Sequence, residues 1–215
     1  MTLRLSSLLL AAGLLASSWA LTPEECRPLM TPLSLEPSTL YGRFNFLSGY
    51  TDNEVYNNIL MFTESYWMDG HPSPSSPDTV AATTYSKLNG TCMSLRSNFT
   101  IDGNTGSTSI ANMTSVFHLL PSCDGCLLMN INSTGTNLDK FLTEMNFKNN
   151  VTAEKINVHA LYLMSRGTTL KDSDMEDFRK QASCFGFNRE PDFIQDPKND
   201  FCPEGEGRML FEKSA

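Results

Sequence analysis

Apolar and polar residues alternate through much of the chain from Leu40 to Ser165, the period expected of half-buried strands. Leu40–Tyr50 (LYGRFNFLSGY) sets aromatic against polar positions. Further strands are predicted at Met61–Met68, Asp78–Leu88, Thr91–Ile101, Ser107–Ala111, Thr114–Leu120, Cys126–Asn132 and Ile156–Ser165. Turn residues punctuate them at His71–Pro77 (HPSPSSP), Asn89-Gly90, Asp102-Gly103-Asn104 and Pro121–Gly125. Asn89-Gly90 is the strongest hairpin signal, because both central residues of such a turn need positive φ. Two segments interrupt the alternation. Asp52–Leu60 reads as a short helix or lid loop, and Ser133–Lys155 as a long insertion of weak helical character. Eight antiparallel strands in sequence order predict an all-β, up-and-down barrel, since closure removes the exposed edges of an open sheet. A barrel of that size encloses room for side chains or one small ligand.

The period changes to helical after the last strand. Met175, Phe178, Ala182 and Phe185 make one apolar face, and Gly186 is placed to end the helix. Ser173-Asp-Met-Glu176 has the form of a capping box at its start. This single C-terminal helix is expected to pack on the barrel wall. Residues 21–39 are Pro-rich and read as irregular, as does the tail from 187 to 215.

Residues 1–20 (MTLRLSSLLLAAGLLASSWA) combine one early Arg, the apolar run Leu8–Leu15 and small residues at Ser18 and Ala20. That is the pattern of a secretory signal peptide. The expected mature chain starts at Leu21 and forms one domain, residues 21–215. It carries 15 basic and 24 acidic side chains, a net charge of −9. Strong negative charge argues against nucleic-acid binding, which needs a basic patch to displace counterions. No later apolar run is long enough to span a bilayer as a helix. In an oxidising compartment the six Cys (26, 92, 123, 126, 184 and 202) read as three structural disulfides, whose pairing spacing alone leaves open. Cys123-Asp-Gly-Cys126 lacks a second ligand pair at zinc spacing, so no metal is expected. Five sequons, at Asn89, Asn98, Asn112, Asn132 and Asn150, agree with secretion and predict N-glycosylation.

The residues that close this pattern resemble the lipocalin family. Gly42-Arg43-Phe44 is similar to its Gly-x-Trp signature with Phe for Trp, and Arg166 matches the basic residue that covers that ring. Phe117–Cys123, Phe178–Cys184 and Asp192–Pro203 look most like orosomucoid and apolipoprotein M. Leu161–Cys202 looks like the fish branch of that group, which includes saxitoxin- and tetrodotoxin-binding and tributyltin-binding carriers. The resemblance implies a barrel floor built on Gly42, Phe44 and Arg166. It also implies the pairs Cys26–Cys184, Cys92–Cys202 and, for the remainder, Cys123–Cys126.

Sequons set strand parity, because a glycan must point outward and neighbours alternate. Asn98 outside puts Met93, Leu95 and Phe99 inside. Asn112 outside puts Met113 and Phe117 inside, and Asn132 outside puts Leu127, Met129 and Ile131 inside. On the first strand Phe46 and Tyr50 share the side of Phe44. On the last, Tyr162 and Met164 face inward, with Leu161 and Leu163 under the helix. The candidate ligand contacts are therefore Phe46, Tyr50, Leu95, Met113, Phe117, Met129 and Tyr162. Glu64 is a further candidate, as an inward carboxylate for a cationic ligand.

No Ser-His-Asp order, phosphate loop or His-Glu-x-x-His is present, so no catalytic residue and no cofactor is expected. The chain reads as a secreted, monomeric plasma-type glycoprotein. Its partner is a small hydrophobic or amphipathic molecule, with toxins or xenobiotics among the candidates. The alternative is an extracellular adhesion or immune-modulating glycoprotein with no dedicated small ligand.

Overall fold

The computed structural model describes residues 21–147 and 155–211; the expected signal peptide and the Asn150 sequon lie outside the described residues. Eight strands follow one another round a barrel: β1 (Gly42–Thr51), β2 (Thr63–Pro72), β3 (Thr79–Leu88), β4 (Thr91–Asp102), β5 (Thr105–Ile110), β6 (Met113–Leu120), β7 (Cys126–Thr136) and β8 (Lys155–Ser165). Each is antiparallel to the next, β8 returns to β1, and β4 meets β5, which closes the wall. This is the expected eight-stranded up-and-down barrel. Asn89 and Gly90 both take positive φ in the β3–β4 hairpin. Strand β2 extends four residues beyond its expected end, carrying His71 and Pro72 into pairing with Ala81 and Val80.

The C-terminal helix α4 (Asp172–Ser183) lies on the outer wall. Phe178 and Ala182 bury against Leu161, Leu163, Leu120 and Leu128. Its start corrects the capping-box expectation. Lys171 is the N-cap and makes no side-chain cap bond, so Ser173 is already inside the helix. The N-terminal segment is also more ordered than its prolines suggest. Thr22 and Glu25 form a reciprocal capping box that starts helix α1 (Pro23–Met30). The Cys26–Cys184 bond fastens α1 to α4.

Beyond α1 the chain crosses the closed end of the barrel. Leu33 and Leu35 donate backbone hydrogen bonds to the Leu119 and Gly103 carbonyls. Leu35 and Leu40 then bury their side chains in the core as a plug. Beside it Arg166 lies 3.8 Å from the centre of the Phe44 ring. Gly42 takes φ +77°, and a Cβ there would stand 2.8 Å from the Arg166 guanidinium. Glycine thus serves both the backbone and the clearance. A guanidinium over an aromatic face is worth about 0.5–2 kcal/mol, according to exposure. A double-mutant cycle of Phe44→Ala and Arg166→Ala should show coupling of that size in thermal unfolding; additive losses would mean the pair contributes nothing.

Two seams interrupt the wall near the open end, and the tail closes both. β1 pairs with β2 only over Gly42–Asn45. Higher up, β9 (Phe193–Ile194) pairs with β1 at Ser48 and Gly49, and Phe193 enters the interior to stack on Phe46 at 4.5 Å. β4 pairs with β5 only over Thr100–Asp102. Higher up, β10 (Arg208–Met209) runs parallel to β4 at Met93 and Ser94, and Leu210 packs on Met93 and Leu88. Between the two patches the Cys92–Cys202 bond holds the tail to the wall. There Trp67 faces outward, stacks on Tyr85 at 4.2 Å and donates its indole N–H to the Cys202 carbonyl. The tail is therefore part of the barrel rather than an irregular appendage.

Candidate functional site

A cavity of about 260 Å³ lies inside the barrel. Its walls come from alternate residues of most of the strands, as the pleat requires. Phe46, Leu95, Phe117, Met129 and Tyr162, all expected contacts, line it together with Tyr66, Met68, Phe99, Ile131 and Met164. Asn98 and Asn132, which set the parity, are exposed on the outer face, as are Asn89 and Asn112.

Two expected contacts lie elsewhere. Tyr50 points out of the barrel. It is fully buried beneath α4, stacked on Phe187 at 5.2 Å and packed against Phe178. The cause is a β-bulge. Phe46 pairs with Met164, but Ser48 pairs with Leu163, so Leu47 is an extra residue and parity inverts beyond it. Gly49 takes the inward place opposite Tyr162, where a Cβ would come within 2.5 Å of the Phe46 ring. The glycine inside a strand pattern was the available signal for a bulge. Met113 keeps the inner face but sits outside the cavity lining, with its sulfur accepting the Tyr56 hydroxyl. Glu64 is also not in the cavity. Its carboxylate accepts the Gly90 N–H at 2.6 Å and pairs with Lys87 at 3.4 Å, bracing the β3–β4 hairpin.

The mouth is covered by three elements, the first of them the expected short helix or lid. Helix α2 (Glu54–Phe62), capped by the Asn53 side chain, brings Tyr56, Ile59 and Leu60 over the opening. Helix α3 (Asp139–Glu144) in the insertion contributes Phe141, and Met145 follows it. The tail contributes Leu210, and Arg208 fastens it to α3 through the Glu144 carboxylate at 3.1 Å.

Polar groups in the lining are neutral. Hydroxyls come from Thr63, Thr84, Ser86, Ser97, Thr108, Ser115 and Ser133, and phenols from Tyr56, Tyr66 and Tyr162. Ser115 and Ser133 satisfy each other at 2.7 Å, whereas the Thr108 hydroxyl is buried without a partner. Burial holds the phenols protonated. Tyr66 is pushed up to about 12, with Thr84 opposing, and Tyr56 and Tyr162 are raised further. The Tyr56 and Tyr66 phenols add to the rise at Tyr162, and the rings of Tyr66 and Tyr162 both meet that of Phe46, at 5.9 and 4.7 Å. Among the described residues, none with an ionised side chain is part of the lining.

A separate, open cleft of about 450 Å³ lies outside the barrel at the base of α2. Asp192 ties it together, accepting from the Thr51 backbone, from Asn57 at 3.0 Å and from Arg189. His159 lies there against the Phe187 ring, with Nε2 2.8 Å from the Asn130 side-chain oxygen. Burial lowers its pKa below the usual value near 6.5, opposed in part by Asp52. A depressed folded pKa means the unfolded chain takes up the proton first, so this contribution to stability is lost as pH falls below about 6.5. His159→Gln should therefore gain thermal stability relative to the wild type as pH falls from about 7 to 5. A constant difference in melting temperature would remove His159 from the acid response.

Cys123 and Cys126 close a short loop between β6 and β7, and the described residues include no free cysteine. Among the described residues no group of three His, Cys, Asp or Glu side chains could hold a metal ion. Among them also, no helix is long and apolar enough to cross a membrane.

No family model matches the chain, and no curated protein matches it in sequence. Solved structures do match in fold. Odorant Binding Protein OBP1 superposes with a TM-score of 0.51 at 14% identity, covering 72% of this chain and 88% of that one. The siderocalin Ex-FABP superposes with a TM-score of 0.52 at 13% identity, covering 74% of this chain and 97% of that one. The fold is the lipocalin barrel.

Proposed function

We propose that this protein is a secreted, N-glycosylated lipocalin that carries a small hydrophobic or amphipathic molecule in its barrel, as a monomer whose mature chain begins at Leu21. The observation that carries this reading is the unfilled, largely apolar space of about 260 Å³ between Phe46, Leu95, Met129 and Tyr162. Apolar walls with few oriented polar groups are the usual chemistry of a small-molecule site. Three disulfides and four exposed sequons support an extracellular location. The solved relatives support carriage as the role, one being an odorant-binding protein and another a siderocalin described as having dual ligand specificities. The tail motifs support the orosomucoid and apolipoprotein M group and its fish branch, with xenobiotics or toxins among the ligands.

Titration with aminoanthracene, an uncharged fluorescent probe, tests the reading. Saturation at one site per chain, reversed by octanol, is the expected result. A folded protein that gives no probe signal would mean the interior is filled, and the carrier reading would be wrong. An extrinsic probe is needed because Trp67 faces the tail, away from the cavity.

A further inference from the structure

The lining carries a second message, which rests on the carrier reading: it restricts the charge of the ligand. We infer that the cavity takes electrically neutral molecules bearing one hydrogen-bonding end and rejects ammonium, guanidinium and carboxylate compounds of the same shape. Among the described residues the walls hold Ser, Thr and Tyr hydroxyls but no Asp, Glu, Lys, Arg or His. An ion entering this space would shed its water shell and meet no opposite charge, a cost that neutral hydroxyls do not offset. Three ionised groups near the open end are engaged elsewhere. Glu64 is bound to Lys87 and Gly90, Glu144 to Arg208, and Asp192 to Arg189, Asn57 and Thr51. None of them belongs to the lining.

The three phenols of the lining are neutral as well. Tyr56 is on the lid, Tyr66 on β2 and Tyr162 on β8, so their placement around one cavity arises only in the closed barrel. A deprotonated phenol could have anchored a cation, but burial disfavours the phenolate at all three. They remain neutral donors and acceptors, suited to an alcohol, ether, carbonyl or amide end. The space corresponds to about nine water volumes.

The test is competition against bound aminoanthracene by octanol, octanoate and octylammonium, three chains of one length and different charge. Octanol should displace the probe, and both ions should compete about 100-fold more weakly at pH near 7. Octanoate should gain about tenfold in apparent affinity for each pH unit from 7 to 5, as its neutral acid becomes populated. Equal competition by either ion, or octanoate affinity independent of pH, would overturn the inference while leaving the carrier reading intact. Failure of aminoanthracene itself to bind would instead sink the carrier reading, and this inference with it. Tyr162→Phe assigns the polar end: octanol should weaken about three- to tenfold while chlorooctane, which has no hydroxyl, is unchanged. Equal losses for the two would overturn the placement of the polar end at the phenols.

Discussion

Replacing both Cys26 and Cys184 by Ala should lower the unfolding free energy by about 2–5 kcal/mol, the range for a bond closing a long loop. The bond spans 158 residues and joins α1 to α4, two helices on the outer wall. Apart from it, a hydrogen bond of 2.6 Å from the Gln181 amide to the Leu29 carbonyl links the same two helices. For a domain of this size the loss corresponds to a fall in melting temperature of roughly 5–15 °C. Affinity for aminoanthracene should stay within about twofold below the transition, because neither helix lines the cavity. A melting temperature within about 2 °C of the wild type would show that packing alone holds α1 in place.

The second large effect separates cavity from core. Leu95 and Phe117 both face inward, but their surroundings differ. Phe117 is 2% exposed and meets Phe99 edge to face at 5.6 Å. It also crosses Gly106 so closely that a Cβ there would lie 2.1 Å from its ring. Leu95 is only half-buried, on the cavity side of β4 beneath the tail. Leu95→Asp should therefore reduce probe affinity about 100-fold while the fold survives, since its carboxylate reaches the space a ligand would need. Phe117→Asp should cost at least about 4 kcal/mol and leave little folded protein, because lost packing and a buried charge act together. Melting temperature and probe affinity on the same two variants decide the matter. Unfolding of both would place Leu95 in packed core as well.

These contrasts mark how far alternation could be followed. It located eight strands to within a few residues, and the exposed Asn98 and Asn132 assigned the inner faces of β4 and β7 correctly. It failed where one residue changed the count. The bulge at Leu47 turned Tyr50 from a presumed ligand contact into the aromatic base on which α4 rests. Strand β2 carries large apolar side chains on both of its faces. Tyr66 and Met68 face the cavity, while Trp67 is covered by the tail. Burial on two sides erases the period that parity depends on.

By itself, then, the sequence determined the barrel: strand spans, hairpin turns, the amphipathic face of α4, and the even cysteine count of a disulfide-bonded chain. Those features are local, written in neighbours two or four positions apart, and local propensity and pattern suffice to specify them. Only the tertiary structure decided what closes the barrel and what it encloses. Phe193 and Leu210 fill seams in strands that lie about 100 residues or more away along the chain, through β9 and β10. Tyr56, Tyr66 and Tyr162 come from a lid and two separate strands, and they share one cavity because the sheet closes on itself. The absence of charge from that cavity has the same origin. Acidic residues outnumber basic ones along the chain, yet among the described residues none lines the cavity, most of them lying on helices and loops outside it.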